Sequence, residues 1–235
     1  MKPLLSLSHV QKRYTSHGLS VPVLHDLNLT IDPGEFVTIS GSSGSGKTTM
    51  MNLLGCLDTP DSGTYLLDGA DVSALSEKEL SHIRNEKIGF VFQGFHLISC
   101  LTALENVELP LRYRGISREK RHKLAQNALK RVGLSARMHH LPAELSGGQQ
   151  QRVAIARAVA GAPPLILADE PTGNLDSASG AEVMKLLTEL WKNGATLILI
   201  THDPAVAAAA PRQIRISDGA VISELRLWCA KESVW

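Results

Sequence analysis

The stretch Gly41-Ser42-Ser43-Gly44-Ser45-Gly46-Lys47-Thr48 constrains this chain more than any other. It fits G-x-x-x-x-G-K-[ST] and lies between a strand-like run, Glu35–Ser40, and a helix-like run, Thr48–Leu57. Glycines let the backbone take strained dihedrals and wrap closely around an anion. The loop N–H groups and the helix N-terminus, through Thr49, then face a triphosphate. Lys47 is placed to neutralise the β/γ-phosphates, and Thr48 to put its hydroxyl on Mg2+. The loop therefore points to a nucleoside triphosphate as ligand and Mg2+ as cofactor. It leaves open which of many nucleotide-hydrolysing classes this is.

The pattern around the loop sets the expected fold. Leu5, Leu7 and Val10, then Val21–Ile31 and Phe36–Ser40, read as strands, with Pro33-Gly34 as a turn. A strand Thr64–Leu67 follows the helix, between the turns Asp61-Ser-Gly and Asp68-Gly69. Ser76 and Glu79 have capping-box spacing for a short helix to about Asn85, and Ile88–Phe92 is a short buried strand. Residues 95–160 read as mostly helical. Thr102 and Glu105 cap one helix, which Pro110 should break or kink. Ser117 can cap another, with Leu124, Ala128, Leu129 and Val132 on one stripe and Gly133 as its stop. Its Arg118, Lys120, Arg121 and Lys123 read as a solvated face, not a nucleic-acid contact. Alternation then resumes: strand Leu165–Ala168, helix Ser177–Trp191, strand Thr196–Thr201, a short Ala-rich helix, and strands Gln213–Ser217 and Ala220–Ser223. This predicts an α/β fold with a mostly parallel sheet core, an N-terminal antiparallel part and an inserted α-helical lobe.

Composition narrows the partners. Lys and Arg number 24 against 23 Asp and Glu, so no basic excess marks a dedicated nucleic-acid binder. Three scattered cysteines, Cys56, Cys100 and Cys229, suggest neither a zinc site nor a disulfide framework, and fit a reducing cytosol. No apolar run reaches about 20 residues, and the N-terminus lacks a signal-peptide core, so a membrane role is expected to act through a partner.

Two further segments carry chemistry. Leu165-Ile-Leu-Ala-Asp169-Glu170 is an apolar strand delivering acids at its C-terminal end. Asp169 suits Mg2+, through water, and Glu170 suits a general base for the attacking water. Leu145-Ser146-Gly147-Gly148-Gln149 would cap a helix and expose a second anion-binding N-terminus. With one phosphate loop already in the chain, this second face suits the ATP of another chain.

In these motifs the chain resembles the ATP-binding-cassette family, whose signature is L-S-G-G-Q, and the resemblance extends over nearly the full length. It implies a homodimer that sandwiches two ATPs head to tail, each between the phosphate loop of one copy and Ser146–Gln149 of the other. It implies further that Tyr14 stacks on adenine and that Gln93, after Ile88-Gly-Phe-Val-Phe, links Mg2+ and water to the helical lobe. Asn174-Leu175-Asp176 would cross the dimer interface, and His202, after Leu197–Thr201, would contact the γ-phosphate. The expected catalytic set is thus Lys47, Gln93, Glu170 and His202. The cassette is expected to occupy residues 1–225, with a core of about 1–93 and 161–225 and a lobe of about 94–160. The tail 226–235, with Trp228 and Trp235, falls outside the pattern.

Several stretches resemble one branch of that family: Gly55-Cys-Leu-Asp58, Phe92-Gln-Gly-Phe-His-Leu97, Leu104-Glu-Asn-Val-Glu-Leu-Pro-Leu111 and Ala168-Asp-Glu-Pro-Thr-Gly-Asn-Leu-Asp176. The branch holds the ATPases of macrolide exporters, of lipoprotein-releasing complexes and of the cell-division cassette. Amino-acid importers typically carry Ser-Ala where Gly173-Asn174 stands here. The resemblance implies an integral-membrane permease as partner, a place on the cytoplasmic face of the cell membrane, and room for a periplasmic or extracellular accessory protein. The competing class is a soluble cassette acting on another macromolecule. Such proteins normally carry two cassettes or a long coiled coil, and this chain has neither pattern.

Overall fold

The computed structural model describes residues 2–16 and 19–227. Strands β1 (Leu5–Ser16), β2 (Leu19–Ile31), β4 (Ser62–Leu67) and β5 (Ala70–Asp71) form an antiparallel sheet in the order β2-β1-β4-β5. A second sheet runs β10-β9-β3-β8-β7-β6, from β3 (Phe36–Ser40), β6 (Ile88–Phe92), β7 (Leu165–Asp169), β8 (Thr196–Thr201), β9 (Arg212–Ser217) and β10 (Ala220–Arg226). All its pairs are parallel except β9 with β10.

The central strands are buried on both faces, which is why they read as unbroken apolar runs. Leu165, Leu167, Ile198 and Ile200 pack with the antiparallel sheet and helix α1 (Lys47–Leu54). Ile166, Ala168, Leu197 and Leu199 face the other way. That second layer holds α3 (Ala103–Tyr113), α4 (Arg118–Arg131), α5 (Gly147–Val159) and α6 (Ser177–Lys192). Helices α3, α4 and α5 pack on one another, and α2 (Glu77–Lys87) and α7 (Pro204–Ala207) complete the fold.

Both expected capping boxes form, at Ser76 with Glu79 and at Thr102 with Glu105, whereas Ser117 stands at the N-cap of α4 without a capping bond from its side chain. Pro110 does not break its helix: α3 continues through it to Tyr113. An internal proline costs about 3 kcal/mol. Leu104, Val107 and Leu111 on the same helix are fully buried, each contributing about 1.5–3 kcal/mol. Helix α1 ends at Leu54, three residues before the expected Leu57, because Cys56 turns to φ 52°. β10 continues to Arg226, past the expected Ser223. The tail tryptophans Trp228 and Trp235 lie outside the described residues.

The register of the parallel strands is what builds a site. Ser40 pairs with Thr201, Asp169 with Ile200, and Phe92 with Asp169. Four strands therefore end almost level. Gly41, Gln93, Glu170 and His202 are the residues that leave those ends. β3 is flanked by β8 and β9, so the chain changes direction beside it. Ligands of open α/β sheets bind at such a reversal, outside the carboxyl ends of the strands.

Candidate active site

The phosphate loop is shaped for close approach. Gly44 and Gly46 have φ of 78° and 100°. A Cβ on Gly41 would stand 2.3 Å from the Ile216 carbonyl oxygen and 2.7 Å from Ser45 Oγ. Ser45 Oγ is buried with no partner. The first N–H groups of α1, from Lys47 to Thr49, have no intrahelical acceptor and point out of the helix end. Lys47 Nζ donates to the loop's own carbonyls, 2.8 Å to Gly41 and 2.6 Å to Ser42.

Opposite the loop stands Glu170. Its φ of 42° is unusual for a residue with a side chain and costs about 1–3 kcal/mol. The surroundings hold it there. Its N–H donates to Ile200 O, and its carbonyl accepts Gly173 N–H. Its carboxylate accepts Thr201 Oγ1 at 2.9 Å, His202 N–H at 2.8 Å and His202 Nδ1 at 2.5 Å. With Nδ1–H donated to Glu170, His202 keeps Nε2 for a ligand. Ser40, Gly41, Ser42, Ser43, Lys47, Glu170, His202, Gln213 and Arg215 line one open pocket of about 850 Å³.

Thr48 offers a hydroxyl, Asp169 a carboxylate and Gln93 an amide oxygen, all hard oxygen ligands of the kind Mg2+ prefers. Burial pushes the Asp169 carboxyl above the ordinary carboxylate range, and the charge of Glu170 adds to this, against Lys47. A cation near Asp169 would relieve that cost. Among the described residues no cluster of three or more His, Cys, Asp or Glu occurs, so this is no all-protein cage. The residues fit a cation shared with phosphate oxygens.

The remaining expected residues lie outside that pocket lining. Ser146 N-caps α5: its Oγ accepts Gln149 N–H at 3.3 Å, and Gln149 Oε1 accepts Ser146 N–H at 3.1 Å. Gly147 packs near Leu175 and Phe95, and Gly148 packs against Ser179. Asp176 caps α6 through Ser179, whose N–H and hydroxyl hold its carboxyl low. Tyr14 is 39% exposed near the end of β1, its hydroxyl donating to Asp58 at 2.9 Å. Lys12 Nζ sits 5.3 Å from its ring centre and donates to Asp58 at 2.6 Å. Burial works to raise the Asp58 carboxyl, but bonds from Lys12 and Tyr14 outweigh it and hold the group low.

Sequence reasoning missed Gln213 and Arg215 in the pocket, Thr201 behind Glu170, and Lys12 and Asp58 behind Tyr14. Only Asp58 carried a signal, as the end of Gly55-Cys-Leu-Asp58.

A family model described as ABC transporter matches residues 24–173. This chain belongs to the ABC transporter family. It is 52% identical over 223 residues to the macrolide export ATP-binding/permease protein MacB of Marinobacter nauticus, covering 95% of this chain and 35% of that protein. It is 51% identical over 219 residues to the ABC transporter ATP-binding protein YknY of Bacillus subtilis, covering 93% and 95%. The chain thus spans about a third of the MacB proteins it matches and nearly all of YknY. Among solved structures, the dimeric ATP-binding cassette MJ0796 in a post-hydrolysis state with ADP and Pi matches with a TM-score of 0.87 at 48% identity. That match covers 96% of this chain and 99% of the other. The fold is the P-loop ATPase fold of ABC proteins, and the chain is an ABC-type ATPase domain. Among the described residues no helix is long and apolar enough to cross a membrane.

Proposed function

We propose that this ATPase drives a membrane permease of the macrolide-export or lipoprotein-release type, as a homodimer on the cytoplasmic face of the membrane. The observation that carries the reading is the meeting of Lys47, Glu170 and His202 around one pocket, in a chain 52% identical over 223 residues to the macrolide export ATP-binding/permease protein MacB of Marinobacter nauticus.

ATP lays its triphosphate on Gly41–Thr49, and Tyr14 takes the adenine. Lys47 exchanges its two loop carbonyls for phosphate oxygens. Thr48, Asp169 and Gln93 would hold Mg2+, which would supply neutralisation of phosphate charge. Glu170 accepts the proton of the attacking water while Thr201 and His202 keep its carboxylate in place. His202 presents Nε2 to the γ-phosphate. The α5 N-terminus, with Ser146, Gly147, Gly148 and Gln149, closes on the ATP of the second copy, and Asp176 lies on the segment that crosses between copies. Catalysis here is positioning and electrostatics.

A second cavity, of about 420 Å³, suits the permease. Leu57, Arg84, Phe90, His96, Leu111 and Arg157 are among its lining residues. Leu57 exposes apolar surface in its lining. Its position beside the Gln93–Glu105 segment supports transmission of closure from ATP to a permease helix. The test is capture from solubilised membranes with tagged Glu170→Gln in Mg-ATP, read by mass spectrometry. An integral-membrane protein with a large soluble domain is the expected catch. Recovery of soluble complexes alone, from protein shown to bind ATP, overturns the reading.

A further inference from the structure

The segment after Glu170 returns to touch Gln93, and the chemistry of that contact is directional. Asn174 Nδ2 donates to the backbone carbonyl of Gln93 at 3.1 Å. A carbonyl only accepts, so this bond decides which end of the Asn174 amide is nitrogen. Asn174 Oδ1 therefore faces the Gln93 side chain, where it accepts Nε2 at 3.1 Å. Gly173 makes the approach possible: a Cβ there would lie 2.6 Å from Gln93 Nε2 and 3.0 Å from its Cδ. The backbones on either side are stapled together. Gln151, fully buried on α5, donates Nε2 to Pro171 O at 2.7 Å and to Phe92 O at 3.3 Å.

We propose that Asn174 is a positioning residue that orients the amide of Gln93. The proposal rests on the reading of Gln93 as a Mg2+ ligand. A hard cation takes an amide oxygen, not an amide nitrogen. With Nε2 committed to Asn174, Oε1 is the end left to face the metal. An unheld glutamine amide rotates in a broad, roughly two-fold well and presents either end. Gly173 supplies the room and Gln151 anchors the two strand-end segments. This gives the Gly173-Asn174 pair a physical role: a side chain at 173 would crowd Gln93 Nε2, and alanine at 174 would offer it no side-chain acceptor.

The test uses Mn2+ as the probe, titrated by electron paramagnetic resonance into the full chain with a non-hydrolysable ATP analogue. Asn174→Ala is expected to weaken Mn2+ about tenfold or more, as Gln93→Ala does, with no further loss in the double variant. Affinity for the analogue in EDTA stays at the wild-type value. Mn2+ affinity within about twofold of wild type in Asn174→Ala, beside a weakened Gln93→Ala, overturns the positioning role alone. An unchanged Gln93→Ala overturns the metal role of Gln93 and this proposal with it. Gly173→Ala, whose methyl displaces Nε2, repeats the test if Asn174→Ala does not fold, with the same expected loss.

Discussion

Replacing Glu170 with glutamine separates the fold from the chemistry, and the structure supplies the magnitudes. The carboxylate accepts from Thr201 Oγ1, His202 N–H and His202 Nδ1. A glutamine keeps Oε1 for both His202 donors and turns Nε2 toward Thr201 Oγ1. That hydroxyl already accepts Asp203 N–H at 3.0 Å but has a second lone pair. The bonds survive in weaker, neutral form, a loss of about 1–2 kcal/mol in all. Removing a general base costs about 10²–10⁴ in rate, or about 3–5 kcal/mol of barrier. Turnover should therefore collapse while the fold and ATP binding persist, and ATP should hold two copies together. Phosphate release at saturating Mg-ATP measures the first effect, and light scattering with and without ATP the second. Turnover within about tenfold of wild type would remove Glu170 from the base role. Loss of ATP binding would make its contacts structural instead.

Ser146→Ala removes the α5 cap and should lower stability by about 1 kcal/mol in urea unfolding, while also reducing ATP-dependent dimerisation. Gly46→Ala forces a side chain to φ 100°, with its Cβ 3.0 Å from Leu24 Cδ2. It should lose about 1–3 kcal/mol and bind ATP weakly, measured by calorimetry. Asp58→Asn deprives the nearly buried Lys12 of its nearer carboxylate, leaving Asp61 at 3.7 Å, and should destabilise by about 1–2 kcal/mol near neutrality. The Asp58 carboxyl is held below its ordinary 3.8, so its contribution is present above that pH and fades as pH falls through the folded value. Wild type and variant should converge there in thermal melts; a constant difference down to strong acid refutes the pairing.

The phosphate loop, the strand carrying Asp169 and Glu170, and the caps at Ser76, Thr102 and Ser146 were legible because each is a contiguous pattern with local physics. The central strands were legible because burial on both faces leaves unbroken apolar runs. The antiparallel strands were not read to their full length. β1 pairs with β2 through register shifts between Leu7 and Val10, Val10 and Lys12, and Lys12 and Arg13, and each shift breaks the two-residue alternation. Pro110 ends no helix because the buried face of α3, which a local penalty does not include, outweighs it.

Motif and order alone were enough to determine a nucleotide-binding loop, an acid pair at a strand end and a capped Ser-Gly-Gly helix start. Only the tertiary structure decided that Gln93 meets Asn174, that Thr201 braces Glu170, and that Tyr14 is held by Asp58. Those partners stand 81, 31 and 44 positions apart along the chain. Which distant groups come within hydrogen-bonding reach depends on the register of paired strands, and that register is set by how buried faces pack against each other.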